Sequence, residues 1–264
     1  MRSPVPVPFD IRFMRMVSSL LFLIFVVMAL SALAHLILRH PFFAIRGVTV
    51  MGDIEHNNAL TLRANVGPHL AGTFFTIDLE AARSAFEAMP WVRQAVVQRA
   101  FPNRLKVTLQ EQRVAAYWGE EGELKLLNMQ GEVFEANLGE IEQEKLPRLS
   151  GPLSQSRQIL LVYQTLRPQF ERLLSLSIEE LTLSGRGVWH MRLDNGAQIM
   201  LGSGQGEEVV ERSWQFAQTL TQVASRYGRT PSALESADLR HEDGYALRLR
   251  GVSTLVPAAP PNRK

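Results

Sequence analysis

Read from the N-terminus, the first strong pattern is an unbroken apolar run at residues 16–38, MVSSLLFLIFVVMALSALAHLIL, with no Asp, Glu, Lys or Arg. A helix needs roughly 20 apolar residues to cross a bilayer core, and this run predicts one such helix. Arg2, Arg12 and Arg15 precede it and Asp10 alone opposes them, so the positive-inside bias places the N-terminus in the cytoplasm. Ala32-Leu33-Ala34 has the small-x-small form of a signal-peptide cleavage site. The apolar run continues past it to Leu38, which favours an uncleaved anchor. Under either reading the remainder of the chain is exported.

Beyond the anchor the periodicity alternates between 2 and 3.6. Residues 42–51, FFAIRGVTVM, predict a strand. Residues 57–66 predict a helix stopped by Gly67-Pro68. Residues 78–89 predict a second helix, with Leu79, Ala82, Phe86 and Met89 on one face and Pro90 as its end. Two strands follow at 92–99 and 105–111, joined by the turn Phe101-Pro102-Asn103-Arg104. The order is β-α-α-β-β. A second pattern begins with a hairpin at 124–134 around Gln130-Gly131, a short strand in LPRLSGP, and a helix at 154–174 that Pro168 is expected to kink. Strands are then expected at 178–184, 188–193 and 197–201, the last two joined by Asp194-Asn195-Gly196. A helix at 207–227 carries Val210, Trp214, Ala217 and Ala224 as its expected buried stripe, with Phe216, Leu220 and Val223 beside it. Two final strands lie at 236–240 and 245–250. The fold class is α+β: one N-terminal transmembrane helix, a small β-α-α-β-β module, and a mixed β-domain with packed helices. The expected divisions are a tail at 1–15, the membrane helix at 16–38, a module at 42–112, a β-domain at 113–250 and a Pro-rich disordered tail at 251–264.

Composition changes this picture mainly by exclusion. Of 264 residues 46% are hydrophobic and 20% charged, with a formal net charge of +2. That is globular composition, and so small a charge gives a nucleic-acid partner no electrostatic support. The chain has no Cys, which excludes disulfides, thiol catalysis and Cys-ligated metals. The histidines, His35, His40, His56, His69, His190 and His241, show no H-E-x-x-H and no close ligand pair. No lysine has Ser three residues before it, and no G-x-S-x-G elbow is present. Gly202-Ser203-Gly204-Gln205-Gly206 before a helix invites a phosphate reading. It lacks the Lys and Ser/Thr of a P-loop, so a flexible strand-to-helix turn is the better reading. The acidic groups at 120–123 and 140–144 read as solvated loops, and Trp91, Trp118, Trp189 and Trp214 as core. The expectation is a protein without catalytic, metal or cofactor-binding residues and without a small-molecule substrate.

The order of elements also carries a resemblance. FFAIRGVTVMG, then FFTIDLEAARSAFEAMPWVRQAVVQRAFPNRLKVTLQEQRVAAYW, resembles a POTRA module, with Met89-Pro90-Trp91-Val92 and Phe101-Pro102-Asn103-Arg104-Leu105 its most specific pieces. LPRLSGP, SGRGVWHMRLDNG and DLRHEDGYALRLRG resemble successive parts of the β-domain of the FtsQ/DivIB family of bacterial division proteins, and the likeness covers nearly the whole chain. The resemblance implies a scaffold of the inner membrane concentrated at the division septum, with a periplasmic C-terminal domain. It implies partners FtsB and FtsL at the β-domain and other divisome proteins at the POTRA module. The implied binding segment is the last strand and its approach: Asp238, Leu239, Arg240, His241, Asp243, Gly244, Tyr245, Ala246, Leu247 and Arg248, with Arg186 nearby. Arg240 matches a family Arg able to pair with partner carboxylates. His241 stands where some relatives have Tyr, and Gly187 where some have a second Arg beside Arg186. The alternative reading is a POTRA chaperone of export or outer-membrane assembly, although such proteins usually carry tandem modules or a barrel.

Overall fold

The computed structural model describes residues 9–56, 62, 66–120, 122, 125–141, 145–241 and 244–252. Most of the helix expected at 57–66, much of the two acidic loops, Asp243, and the greater part of both termini lie outside these residues.

Helix α1, Phe9–Leu38, holds the apolar run. Its stretch Phe13–Leu38 is long and apolar enough to cross a membrane, and its large apolar side chains face outward. The chain divides into two compact units, Met1–Glu111 and Gln112–Lys264.

In the first unit the strand expected from residue 42 begins later. Pro41–Phe43 forms a 3-10 turn, whose Phe42 N–H is capped by His40 Nδ1 at 3.2 Å, and β1 spans Gly47–Gly52. Pro41 fixes φ and donates no hydrogen bond, which favours a turn over a strand start. Helix α2, Leu79–Glu87, starts at Asp78, whose carboxylate accepts from Glu80 and Ala81 N–H. It buries Ala82 and Phe86, with Met89 just beyond, as the spacing predicts. Strands β2, Val92–Ala100, and β3, Arg104–Glu111, pair antiparallel, and β1 lies parallel on the other side of β3. The alternating burial of β3 places Leu105, Val107 and Leu109 inside. Leu62 and Val66 complete the same buried cluster.

The second unit is built on one mixed sheet of nine strands among the described residues. Its strands are β4, Val114–Trp118; β5, Lys125–Asn128; β6, Val133–Phe134; β7, Arg148–Ser150; β8, Ile178–Leu183; β9, Val188–Leu193; β10, Gln198–Ser203; β11, Leu234–Asp238; and β12, Ala246–Leu249. Their spatial order is β12-β11-β10-β9-β8-β7-β4-β5-β6. Helices α3, Ser156–Leu174, and α4, Gly206–Arg226, pack together on one face. Under them runs the row Trp118, Leu149, Leu181, Met191, Ile199, Ala237 and Leu247, one residue from each successive strand. All but Leu247 are buried, and Leu247 is half-buried. The adjacent row, Tyr117, Arg148, Glu180, Arg192, Gln198, Ser236 and Arg248, points the opposite way and is polar. Glu180 there receives Arg192 at 2.8 Å and Arg148 at 3.5 Å. Pairing a helix-covered apolar face with a polar outer face is the usual economy of a half-buried sheet.

Pro168 sits inside α3 without ending it. The stripe expected on α4 holds at Ala217 and Ala224, with Phe216 and Leu220 beside it, and shifts by one position toward the N-terminal end, where Val209 and Ser213 are buried in place of Val210 and Trp214. The buried residues are Val209, Ser213, Phe216, Ala217, Leu220 and Ala224, while Trp214 is 37% exposed and Val210 half-buried. Trp214 is therefore not core. A polar residue misled the pattern, because Ser213 lies in the core with its hydroxyl donating to Val209 O at 2.7 Å.

Candidate partner-binding edge

Strand β12 ends the sheet. It pairs antiparallel with β11 on one side and with no described strand on the other. Arg250 donates its backbone N–H to Ala233 O at 2.8 Å. Alternation along a strand then turns the main-chain groups of Arg248 and Ala246 toward β11 and those of Leu247 and Leu249 to the open side. The opposite edge is β6, only two residues long.

Local contacts hold this edge in place. Tyr245 leads into β12 and packs its ring edge-on against Phe216 of α4, centroids 4.9 Å apart, while its hydroxyl meets Thr219 Oγ1 at 2.8 Å. Leu239 is 1% exposed and donates its N–H to Met200 O at 2.8 Å, so its side chain belongs to the core. Arg240 lies over Gly202, where β10 is bulged and φ is +85°. Its guanidinium is not free: Nε and Nη2 both bond the Asp238 carboxylate, at 2.9 and 2.6 Å. The Arg240 hydrogen bond holds the Asp238 carboxyl down at about 2. Arg248 reaches Glu235 at 3.5 Å across the outer face. His241, Gly244 and Ala246 are exposed.

Arg186 occupies the β8–β9 turn, exposed and without an ion pair among the described residues. Strand directions place that turn at the same end of the sheet as the β11–β12 connection, since both follow the C-terminal ends of their leading strands. Gly187 in the turn has φ +78°, a left-handed value that an Arg would adopt only under strain. Glycine suits this turn position. Beside the edge lies a groove of about 390 Å³ between α4 and the β11–β12 connection, lined by Glu208, Glu211, Arg212, His241 and Tyr245 among others. The sequence missed Arg212, whose guanidinium bonds the carbonyls of Leu201 and Ser203.

The glycine turn before α4 serves as a helix cap. Glu208 accepts the Gln205 N–H at 3.2 Å and closes a capping box, so the chain's own carboxylate fills the positive helix end. Trp189 Nε1 also donates to Gly204 O at 3.3 Å.

These features define a class: a helix able to span a bilayer, a POTRA-type unit, and a mixed sheet ending in an open strand, with no cluster of His, Asp and Glu fit for a metal among the described residues. Residues 43–112 match the family model "POTRA domain, FtsQ-type", and residues 116–240 match "Cell division protein FtsQ/DivIB, C-terminal". The chain is 38% identical over 252 residues to the cell division protein FtsQ of Thiomonas arsenitoxydans, covering 95% of this chain and 91% of that protein. It is 36% identical to FtsQ of Burkholderia pseudomallei, covering 94% and 96%, and 33% identical to FtsQ of Bordetella pertussis, covering 91% and 92%. The chain belongs to the FtsQ/DivIB family of cell division proteins, a non-enzymatic family. The family match to the C-terminal domain stops at Arg240, before β12.

Proposed function

We propose that this protein is a division scaffold anchored by α1, with its N-terminus cytoplasmic and residues 39–264 periplasmic, that binds FtsB and FtsL by adding a partner strand to β12. The observation that carries the reading is the open side of β12, where the main-chain groups of Leu247 and the N–H of Leu249 face no described strand, the Leu249 carbonyl being already bonded to Val252 N–H at 3.2 Å. An added strand gains main-chain hydrogen bonds along its length, and side-chain pockets supply selectivity. Arg186 is the cation best placed for a partner carboxylate, since it makes no ion pair among the described residues. Arg240 contributes only by exchanging Asp238 for the partner's acid, and its first role is to shape the connection into β12. The POTRA unit serves other division proteins in this reading. Family membership favours it over an export chaperone.

The test is a calorimetric titration of residues 39–264 with the periplasmic segment of FtsB, alone and with that of FtsL. Saturable binding is expected, weakened about tenfold or more in Arg186→Glu, as loss and reversal of one exposed charge contact implies. Absence of binding by the folded domain to either segment or to both together would reject the scaffold reading.

A further inference from the structure

At the end of α1 five phenylalanines form one contact chain. Phe42 and Phe43 meet edge-on at 5.2 Å, Phe43 and Phe75 at 5.0 Å, Phe75 and Phe74 at 5.1 Å, and Phe74 and Phe101 at 5.8 Å. They are not a core: Phe42 is 53%, Phe75 43% and Phe101 75% exposed. Three loops bring them together, and each is fastened. Thr73 Oγ1 donates to Leu38 O, the last residue of α1, at 2.7 Å, and Phe74 N–H donates to Phe43 O at 2.7 Å. Arg99 clamps the middle loop through Phe74 O at 2.7 Å and Ile77 O at 2.9 Å, and Arg46 N–H donates to Asn103 O at 2.9 Å. The starts of β1 and β3 and the end of β2 share this end of the sheet.

Exposing so much aromatic surface in water is costly. The hydrogen bond to Leu38 places the cluster where the membrane helix stops. Exposed Arg39, Arg46 and Arg104 lie at the same end. Asp78, an acidic side chain close by, is engaged in capping α2. Aromatic rings with flanking cations suit the headgroup level of a bilayer, where rings enter the acyl boundary and guanidinium groups meet phosphate.

We infer that Phe42, Phe75 and Phe101, with Arg39, Arg46 and Arg104, form a lipid-binding seat that rests the POTRA unit on the surface of the bilayer that α1 crosses. The inference rests on the reading of α1 as a membrane-spanning anchor. The seat fixes the height of the unit above the membrane, which a free linker would leave variable.

The chain lacks cysteine, so single fluorophores can be attached to the full-length protein in phosphatidylethanolamine–phosphatidylglycerol vesicles. Reporters go at Ala29→Cys within α1, at Asn103→Cys beside the seat and at Gln94→Cys on the opposite end of β2. Lipids with a nitroxide near the headgroup and in the acyl chain serve as quenchers. Quenching is expected at Ala29 and Asn103 and not at Gln94. With Phe75→Ser and Phe101→Ser, or with Phe101→Ser alone, the Asn103 signal should fall toward the Gln94 level while Ala29 stays quenched and circular dichroism is unchanged. Quenching at Ala29 with none at Asn103 overturns the seat and leaves the anchor, and the phenylalanines would then await a protein partner. Quenching at Asn103 that survives both serine variants also overturns it. No quenching at Ala29 removes the anchor and the seat together.

Discussion

Asp238 and Arg240 carry a consequence that can be read at one carboxyl. The hydrogen bond from the Arg240 guanidinium lowers the pKa of Asp238 to about 2 from an ordinary 3.8. A carboxyl depressed on folding stabilises the folded state fully above its unfolded value, and the contribution is lost as pH falls from about 3.8 through about 2. The contact therefore holds throughout the neutral and mildly acidic range. Carboxyl-detected NMR on the soluble part should find Asp238 titrating near 2, and Arg240→Ala should return it toward the ordinary range. A titration unchanged by that substitution would show that the pair does not form in solution. The same pairing governs Arg240 as a recognition residue: a partner acid must displace Asp238, so its net gain is smaller than that of an unpaired arginine.

Along β12 the main-chain groups face β11 and the open side by turns. Proline removes one donor and cannot sit inside a ladder. At Leu247, whose N–H faces the open side, Leu247→Pro should weaken the partner by about fivefold to tenfold, the worth of roughly 1 kcal/mol for one lost hydrogen bond. The thermal midpoint should change little beyond the loss of a half-buried side chain. Ala246→Pro should act in the opposite sense, destabilising the β11–β12 hairpin by about 1–3 kcal/mol because an acceptor on β11 loses its donor. Thermal unfolding and titration of both variants decide it, and equal effects on both readouts would remove the assigned phase. The sequence pattern told much of this architecture and missed specific parts. Strands β8, β9 and β10, with the Asn195-Gly196 turn, were legible because apolar alternation and turn chemistry agree there. Strand β4 was not, since VAAYW is short, alanine-rich and without clean alternation. The α4 face was legible from Phe216 to Ala224 and off by one residue in its first turns, because Ser213 hides its hydroxyl against its own helix. Strand β12 was legible in the pattern, while its role as a partner edge came from resemblance. Its phase, the anchoring of Tyr245 on Phe216 and Thr219, and the closure of Arg240 onto Asp238 required three-dimensional neighbours that no local spacing encodes.

For the whole molecule, the two units draw their buried clusters from separate stretches of chain. The first takes its members from residues 62–109 and the second from 116–249, with half-buried Ala115 and Val252 at the margins. The second begins at Gln112, whose side-chain carbonyl accepts from Asn128 Nδ2 at 2.7 Å, and Arg113 O accepts from Met129 N–H at 2.9 Å. A fragment that starts at Gln112 keeps both bonds and every member of its core. Its length falls within the roughly 50–250 residues of an independent domain. Residues 112–264 should therefore unfold in one cooperative thermal transition and bind the FtsB segment with the affinity of residues 39–264. Calorimetry and circular dichroism on the fragment measure both. A broad, non-cooperative melt would mean that the sheet needs the first unit to fold. A cooperative melt with binding lost would mean that the first unit contributes to the partner surface, and β12 alone would no longer account for recognition.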